Sequence, residues 1–220
     1  KLSGIGDIAV FTGWTYNNEK SSIFDFIDTT IKVGLSMPTA RQRDITKAFS
    51  TTAGYNRHVG IPLSFDMAIG FYEWFTWGAH VSGQFFLNHD GCFRMKTNAA
   101  QNGYIKLGRG AAREDLGNMW SVGSYVKADH IAAGLSLTFG YTYDSQEDTT
   151  LTPVDLNTFP SATVNDDETL KKWRRHSIHA AAEYDFAKEG QCLNPKVGVF
   201  YNHPVGGKRI FNTKTIGGNA

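Results

Sequence analysis

Along 25–37, Ile27, Thr29, Ile31, Val33, Leu35 and Met37 interleave with Asp28, Thr30, Lys32, Gly34 and Ser36. Period two of this kind predicts a strand with one apolar and one polar face. The pattern recurs along the chain. The predicted strands are 7–16, 25–37, 61–73, 76–88, 118–128, 130–143, 173–186 and 195–203, with a weaker ninth at 209–218. In the third, Ile61, Leu63, Phe65, Met67, Ile69 and Phe71 oppose Ser64, Asp66, Ala68, Gly70 and Tyr72. Pro62 stands near its start, where a missing donor is tolerated. No helix-length stretch with period 3.6 and proper caps competes, apart from weak segments inside loops.

The connections alternate in phase with the strands. Links at 17–24, near Trp74, near Asp129 and at 187–194 are short, and those at 38–60, 89–117 and 144–172 are long. Short turns on one side and long loops on the other are the mark of an outer-membrane barrel. Aromatics reinforce it. Trp14, Phe71, Trp74, Trp77, Trp120, Tyr141, Trp173 and Phe186 are expected in two interfacial belts separated by aliphatic residues. The fold expected is all-β, an antiparallel up-and-down transmembrane β-barrel with 8–9 strands visible, part of a barrel of 10–12. A soluble sandwich or barrel, with the same apolar residues as its core, is the competing architecture.

Composition permits this. Mean hydropathy is −0.32 and no run of about 18 apolar residues exists, which excludes a helical span. A barrel needs only every second residue to face lipid. The net charge of +1 gives no pull toward nucleic acid, and 23 glycines with 13% aromatics suit a curved sheet with interfacial belts. Residues 1–220 read as one domain. The first strand enters from the long-loop side, so at least one strand is expected before Lys1 and a few residues after Ala220.

Two N-terminal segments resemble a known family. Ser3-Gly4-Ile5-Gly6-Asp7-Ile8 resembles the G-x-G-D opening of a strand in transporter-like outer-membrane barrels of the phenol meta-pathway type. Val33-Gly34-Leu35-Ser36-Met37-Pro38-Thr39-Ala40 resembles the strand-ending Pro-Thr-Gly stretch that follows there, with Ala40 where the family has Gly. The resemblance covers the first fifth of the chain. It implies an outer-membrane channel, for hydrophobic or aromatic compounds.

Candidate chemistry lies on the polar faces. Asp28, Lys32, Asp66, His80, Gln84, Tyr125, Lys127, His179, Glu183 and Lys196 are the candidate lumen-lining residues. Their mixed charge fits a weakly selective channel or a lumen crossed by ion pairs. His80 and Ser82 share a face, but a nucleophile needs hydrogen-bond contact and an orienting group, and no motif supplies them. His176 and His179 point to opposite faces and cannot share a metal. Asp144, Glu147, Asp148, Asp166, Asp167 and Glu168 form an acidic loop without calcium-site spacing, read as solvated. The loop with Phe93, Tyr104, Ile105 and Leu107 either constricts the lumen or covers its mouth. The basic loop with Arg41, Arg43, Lys47 and Arg57 is read as solvated, with contact to lipopolysaccharide phosphates as the alternative. Cys92 and Cys192 fall on opposite sides of the membrane in this topology, so no disulfide is expected between them.

The expectation is therefore a non-enzymatic channel or transporter of a Gram-negative-type outer membrane. It has no metal or cofactor, and its partners are lipid, lipopolysaccharide and small solutes. The alternatives are an outer-membrane barrel with a plugged lumen and partner-binding loops, and a soluble β protein that binds ligand inside its barrel.

Overall fold

The computed structural model describes residues 6–19, 23–47, 50, 52–106, 108–132, 134–186, 196–210 and 213–219. Nine antiparallel strands form one sheet: β1 (Ile8–Asn18), β2 (Phe26–Met37), β3 (Gly60–Phe71), β4 (Phe75–Phe86), β7 (Met119–Ala132), β8 (Leu135–Gln146), β10 (Trp173–Asp185), β11 (Lys196–Lys208) and β12 (Thr215–Asn219). They lie side by side in chain order, apart from the loop strands between them, as an up-and-down meander. No pairing joins β1 to β12, so the sheet is not closed into a barrel among the described residues.

The long loops carry a second structure that the sequence reading passed over. β5 (His89–Met95), β6 (Gly108–Asp115) and β9 (Thr150–Pro153) make a three-stranded antiparallel sheet. A short helix α1 (Ser161–Asn165) and a 3₁₀ turn (Glu168–Leu170) complete it. Phe93, Met95, Ala112, Leu151, Phe159 and Val164 form its buried core, with Leu170 packed against it. Phe93 is therefore a core residue, whereas Tyr104 and Ile105 are exposed and Leu107 lies outside the described residues.

Three boundaries differ from expectation. The turn expected near Asp129 lies beyond Ala132, at Gly134, whose φ is 99°. The β7–β8 register slips between Ala128 and Ala132, where His130 takes a φ of 52°, and Ile131 belongs to β7 rather than β8. β11 runs past 203 to Lys208, with an irregularity opposite His176/Ser177. β12 is confined to Thr215–Asn219, leaving a short link at 209–214 on the long-loop side. That link breaks the length alternation. The expected short link at 187–194 and the Cys92–Cys192 expectation lie outside the described residues.

Every described buried apolar residue sits at the long-loop end. Ala40 and Phe86 are there, with the six of the loop core. The apolar face of the large sheet has no second layer. Val10, Trp14, Ile31, Val33, Leu35, Leu63, Phe65, Val81, Val122, Phe139, Ile178 and Val199 are all exposed. The register aligns them into one surface: Val10 opposes Leu35, Ile31 opposes Phe65, Phe65 opposes Val81, and Val81 opposes Val122. A soluble monomer rarely leaves a contiguous patch beyond a few hundred Å² uncovered.

Candidate functional site: the polar face and the loop end

The polar face is organised in register rows that cross the sheet. One row joins Lys32, Ser64, Ser82, Ser121, Asp144 and Arg175. A second joins Asp28, Ala68, Gly78, Tyr125, Gly140, His179 and Asn202. Between them run Asp66, His80, Gly123, Thr142 and Ser177. All ten candidate lining residues fall on this face by register. The glycines matter because large neighbours lie across them. A Cβ on Gly78 would enter the Tyr125 ring, and one on Gly123 would strike the His80 imidazole. These side chains lie flat along the wall.

Charges pair across or along strands. Arg175 donates to Asp144 through Nε at 3.0 Å and Nη2 at 2.7 Å, and Ser121 Oγ donates to the other carboxylate oxygen at 2.8 Å. Lys196 meets Asp185 at 3.1 Å, and Lys127 meets Asp129 at 2.8 Å. His179 bridges Asn202 (2.7 Å) and Thr142 (3.0 Å). Lys32 is exposed and has no ion pair among the described residues. Two buried atoms on this face have no hydrogen-bond partner among the described residues, Asp28 Oδ1 and Gln84 Nε2.

His80 and Ser82 share the face, yet no hydrogen bond joins them among the described residues. His176 and His179 diverge as expected, His176 bonding Tyr141 Oη at 2.6 Å on the apolar side. Among the expected interfacial aromatics, Trp173 is misplaced. Its register partner is Gln146, and its indole Nε1 donates to Gln146 Oε1 at 2.6 Å on the polar face. The bulge-free alternation of β10 from Trp173 to Arg175 puts both on one side, which the position at a strand end hid. Trp14 stacks on Tyr16 (5.7 Å), and Phe71, Phe75 and Trp74 cluster at the 72–74 turn. Phe85 meets Trp120 edge-on at 5.0 Å toward the loops, and Tyr184 packs on Phe186 near the turn side.

The acidic loop is solvent-facing at Glu147, Asp148, Asp166 and Glu168, as expected, but buried at Asp167. Asp167 pairs with Lys106 and accepts from Thr169 N at 2.9 Å. Glu168 pairs with Arg209, Glu147 accepts from Asn118, and Asp148 accepts from the Lys172 amide. Asp144 lies in β8. No group of three or more potential metal ligands occurs among the described residues. Arg94 clamps the loops together, donating to the carbonyls of Ile45 (2.7 Å), Thr46 (2.9 Å) and Lys106 (2.6 Å).

Asp7 ties the two N-terminal motifs to each other. Its carboxylate accepts from Ala40 N at 2.9 Å and Tyr55 N at 2.6 Å, while Thr39 Oγ1 donates to the Gly6 carbonyl at 2.9 Å. Gly6 and Asp7 thus latch Thr39, Ala40 and Tyr55 against the start of β1. No protein-family model matches the chain, and no characterised protein matches it in sequence.

His58 is completely buried among the loops. Nδ1 bonds the Leu87 carbonyl at 2.8 Å and Nε2 bonds Glu114 Oε2 at 2.9 Å. Burial by itself pushes the imidazole down. The bonds to Glu114 and Leu87, with the charges of Glu114 and Asp115, outweigh it and hold His58 above its ordinary 6.5. A raised folded value means the charged pair adds stability in full below about 6.5 and loses it as pH rises through the folded value. His89, its rings 5.6 Å from His58, moves the opposite way through burial and the His58 charge. Protease resistance of the 87–118 loop is therefore expected to fall as pH is raised above 6.5. His58→Gln should flatten that decline; an unchanged pH profile in the variant would show that another group controls it.

Proposed function

We propose that this chain is a β-barrel protein of the bacterial outer membrane whose polar face lines a passage for small solutes. The observation that carries this is the uncovered apolar face of the nine-stranded sheet, with every described buried apolar residue elsewhere. Hydrocarbon tails are the cover such a face takes. The polar face supplies the counterpart. Tyr125 and His80 lie over Gly78 and Gly123 along the sheet. The 72–74 turn and the Asn18 end of β1 lie opposite the folded loops, which on this reading face outward. Exposed Arg41, Arg43 and Arg57 suit lipopolysaccharide phosphates there.

Folded protein in liposomes should admit arabinose, with swelling that slows as solute size grows. Rates equal to those of protein-free liposomes, for protein shown to be folded, would end the channel reading. The second reading, a surface-interaction barrel, is favoured by exposed Tyr104, Val154 and Leu156 on the loop module. It predicts folded insertion without swelling.

A further inference from the structure

Beside Lys32 the polar face opens into a cavity of about 730 Å³ at the loop end. That volume lies within the range of small-molecule sites. Lys32 meets Ser64 in the register, Ser64 meets Ser82, and Gln84 stands one polar position further along β4. These four line one side of the cavity together with Phe11, Pro62 and Tyr55. The chemistry is lopsided. The cavity contains two cationic side chains, Lys32 and Arg175, against one carboxylate, Asp144. Asp144 is consumed by Arg175 and Ser121. The Lys32 ammonium is left without a counter-ion among the described residues, and Asp66, in the next row, makes no ion pair with it.

An unpaired ammonium and two hydroxyls beside a Phe–Pro–Tyr wall describe the complement of a particular ligand. The ammonium calls for an acceptor that carries negative charge, since a charge-assisted bond satisfies it. The ring and pyrrolidine surfaces suit an apolar body attached to it. We infer that this cavity binds small organic carboxylates with an apolar body, the carboxylate at Lys32, Ser64 and Ser82 and the body against Phe11, Pro62 and Tyr55. The inference deepens the solute-passage reading by naming the class of solute the wall retains.

The test uses the folded protein in lipid nanodiscs and equilibrium dialysis of three probes with one body: 4-phenylbutyrate, neutral 4-phenylbutanamide and cationic 4-phenylbutylamine. The carboxylate should bind saturably, and roughly tenfold or more tighter than the amine. Lys32→Met should weaken phenylbutyrate roughly tenfold while changing the amide less than about threefold, and Lys32→Arg should restore most of the loss. Equal affinity for carboxylate and amine, an unaffected Lys32→Met variant, or no saturable binding at all would overturn it. Arabinose swelling of the same preparation reports the channel separately. Binding without swelling keeps the site and removes the passage; swelling without binding does the reverse.

Discussion

Val81→Arg should cost about 2–4 kcal/mol of folding stability in a bilayer, the range for a cation on a lipid-facing strand at mid-depth. Val81 stands on β4, flanked on its own face by Phe65 and Val122, and is already 40% exposed. In water, a change at so exposed a position away from caps and pairs stays within about 0.5 kcal/mol. The two solvents therefore give opposite answers for one substitution. Ser82→Lys, one residue on and on the polar face, is the internal control and should cost little in either solvent. The measurement is urea unfolding of protein reconstituted in short-chain lipid vesicles, followed by tryptophan emission. If both variants lose the same small amount, water rather than hydrocarbon covers the Ile/Leu/Val face.

The contrast between those two neighbours comes straight from period two, and so does most of what the sequence disclosed. Each nine-stranded-sheet element was readable because its apolar residues must all face one solvent; the register then follows, since a slip by one would turn Phe65 or Ile31 to the polar side. The ten polar-face residues were readable for the same reason. What stayed hidden depends on partners distant in the chain. β6, Gly-Arg-Gly-Ala-Ala-Arg-Glu-Asp, has none of the β-branched or aromatic residues that announce a strand. It is a strand because β5 and β9 pair with it and because Phe159 fills the space above Gly108 and Gly110. Phe93 and Met95, two apart, were the one local hint. The later turn was hidden by the left-handed His130, an irregularity that shifts the period inside β7, although Gly134, with a φ of 99°, marks the turn itself. The charge pairing of the site was likewise invisible. Asp144–Arg175 is a neighbour pair only once β8 and β10 are in register, and the isolation of Lys32 is legible only when its surroundings are known.

The separation of the loop core from the sheet leads to the second large effect. Phe159→Ala should destabilise the loop module by about 3–5 kcal/mol, the usual cost of removing a buried phenyl ring. The ring is 5% exposed and closes over Gly108, Gly110 and Met95, so nothing of comparable size can relax into its place. None of the module's buried core residues comes from the nine-stranded sheet. The loss should therefore be spent locally. Trypsin should gain access to Arg94, Lys96, Lys106 and Arg109, and the 38–59 loop should loosen with them because Arg94 holds the Ile45 and Thr46 carbonyls. Residues 60–86 and 119–146 should keep their resistance, since their pairing and their apolar cover are untouched. Cleavage confined to the loops means two stability units on one chain, the lower one in the long loops. If the sheet strands are cut as readily as the loops, the module and the sheet unfold together, and the loop core is part of what holds the sheet.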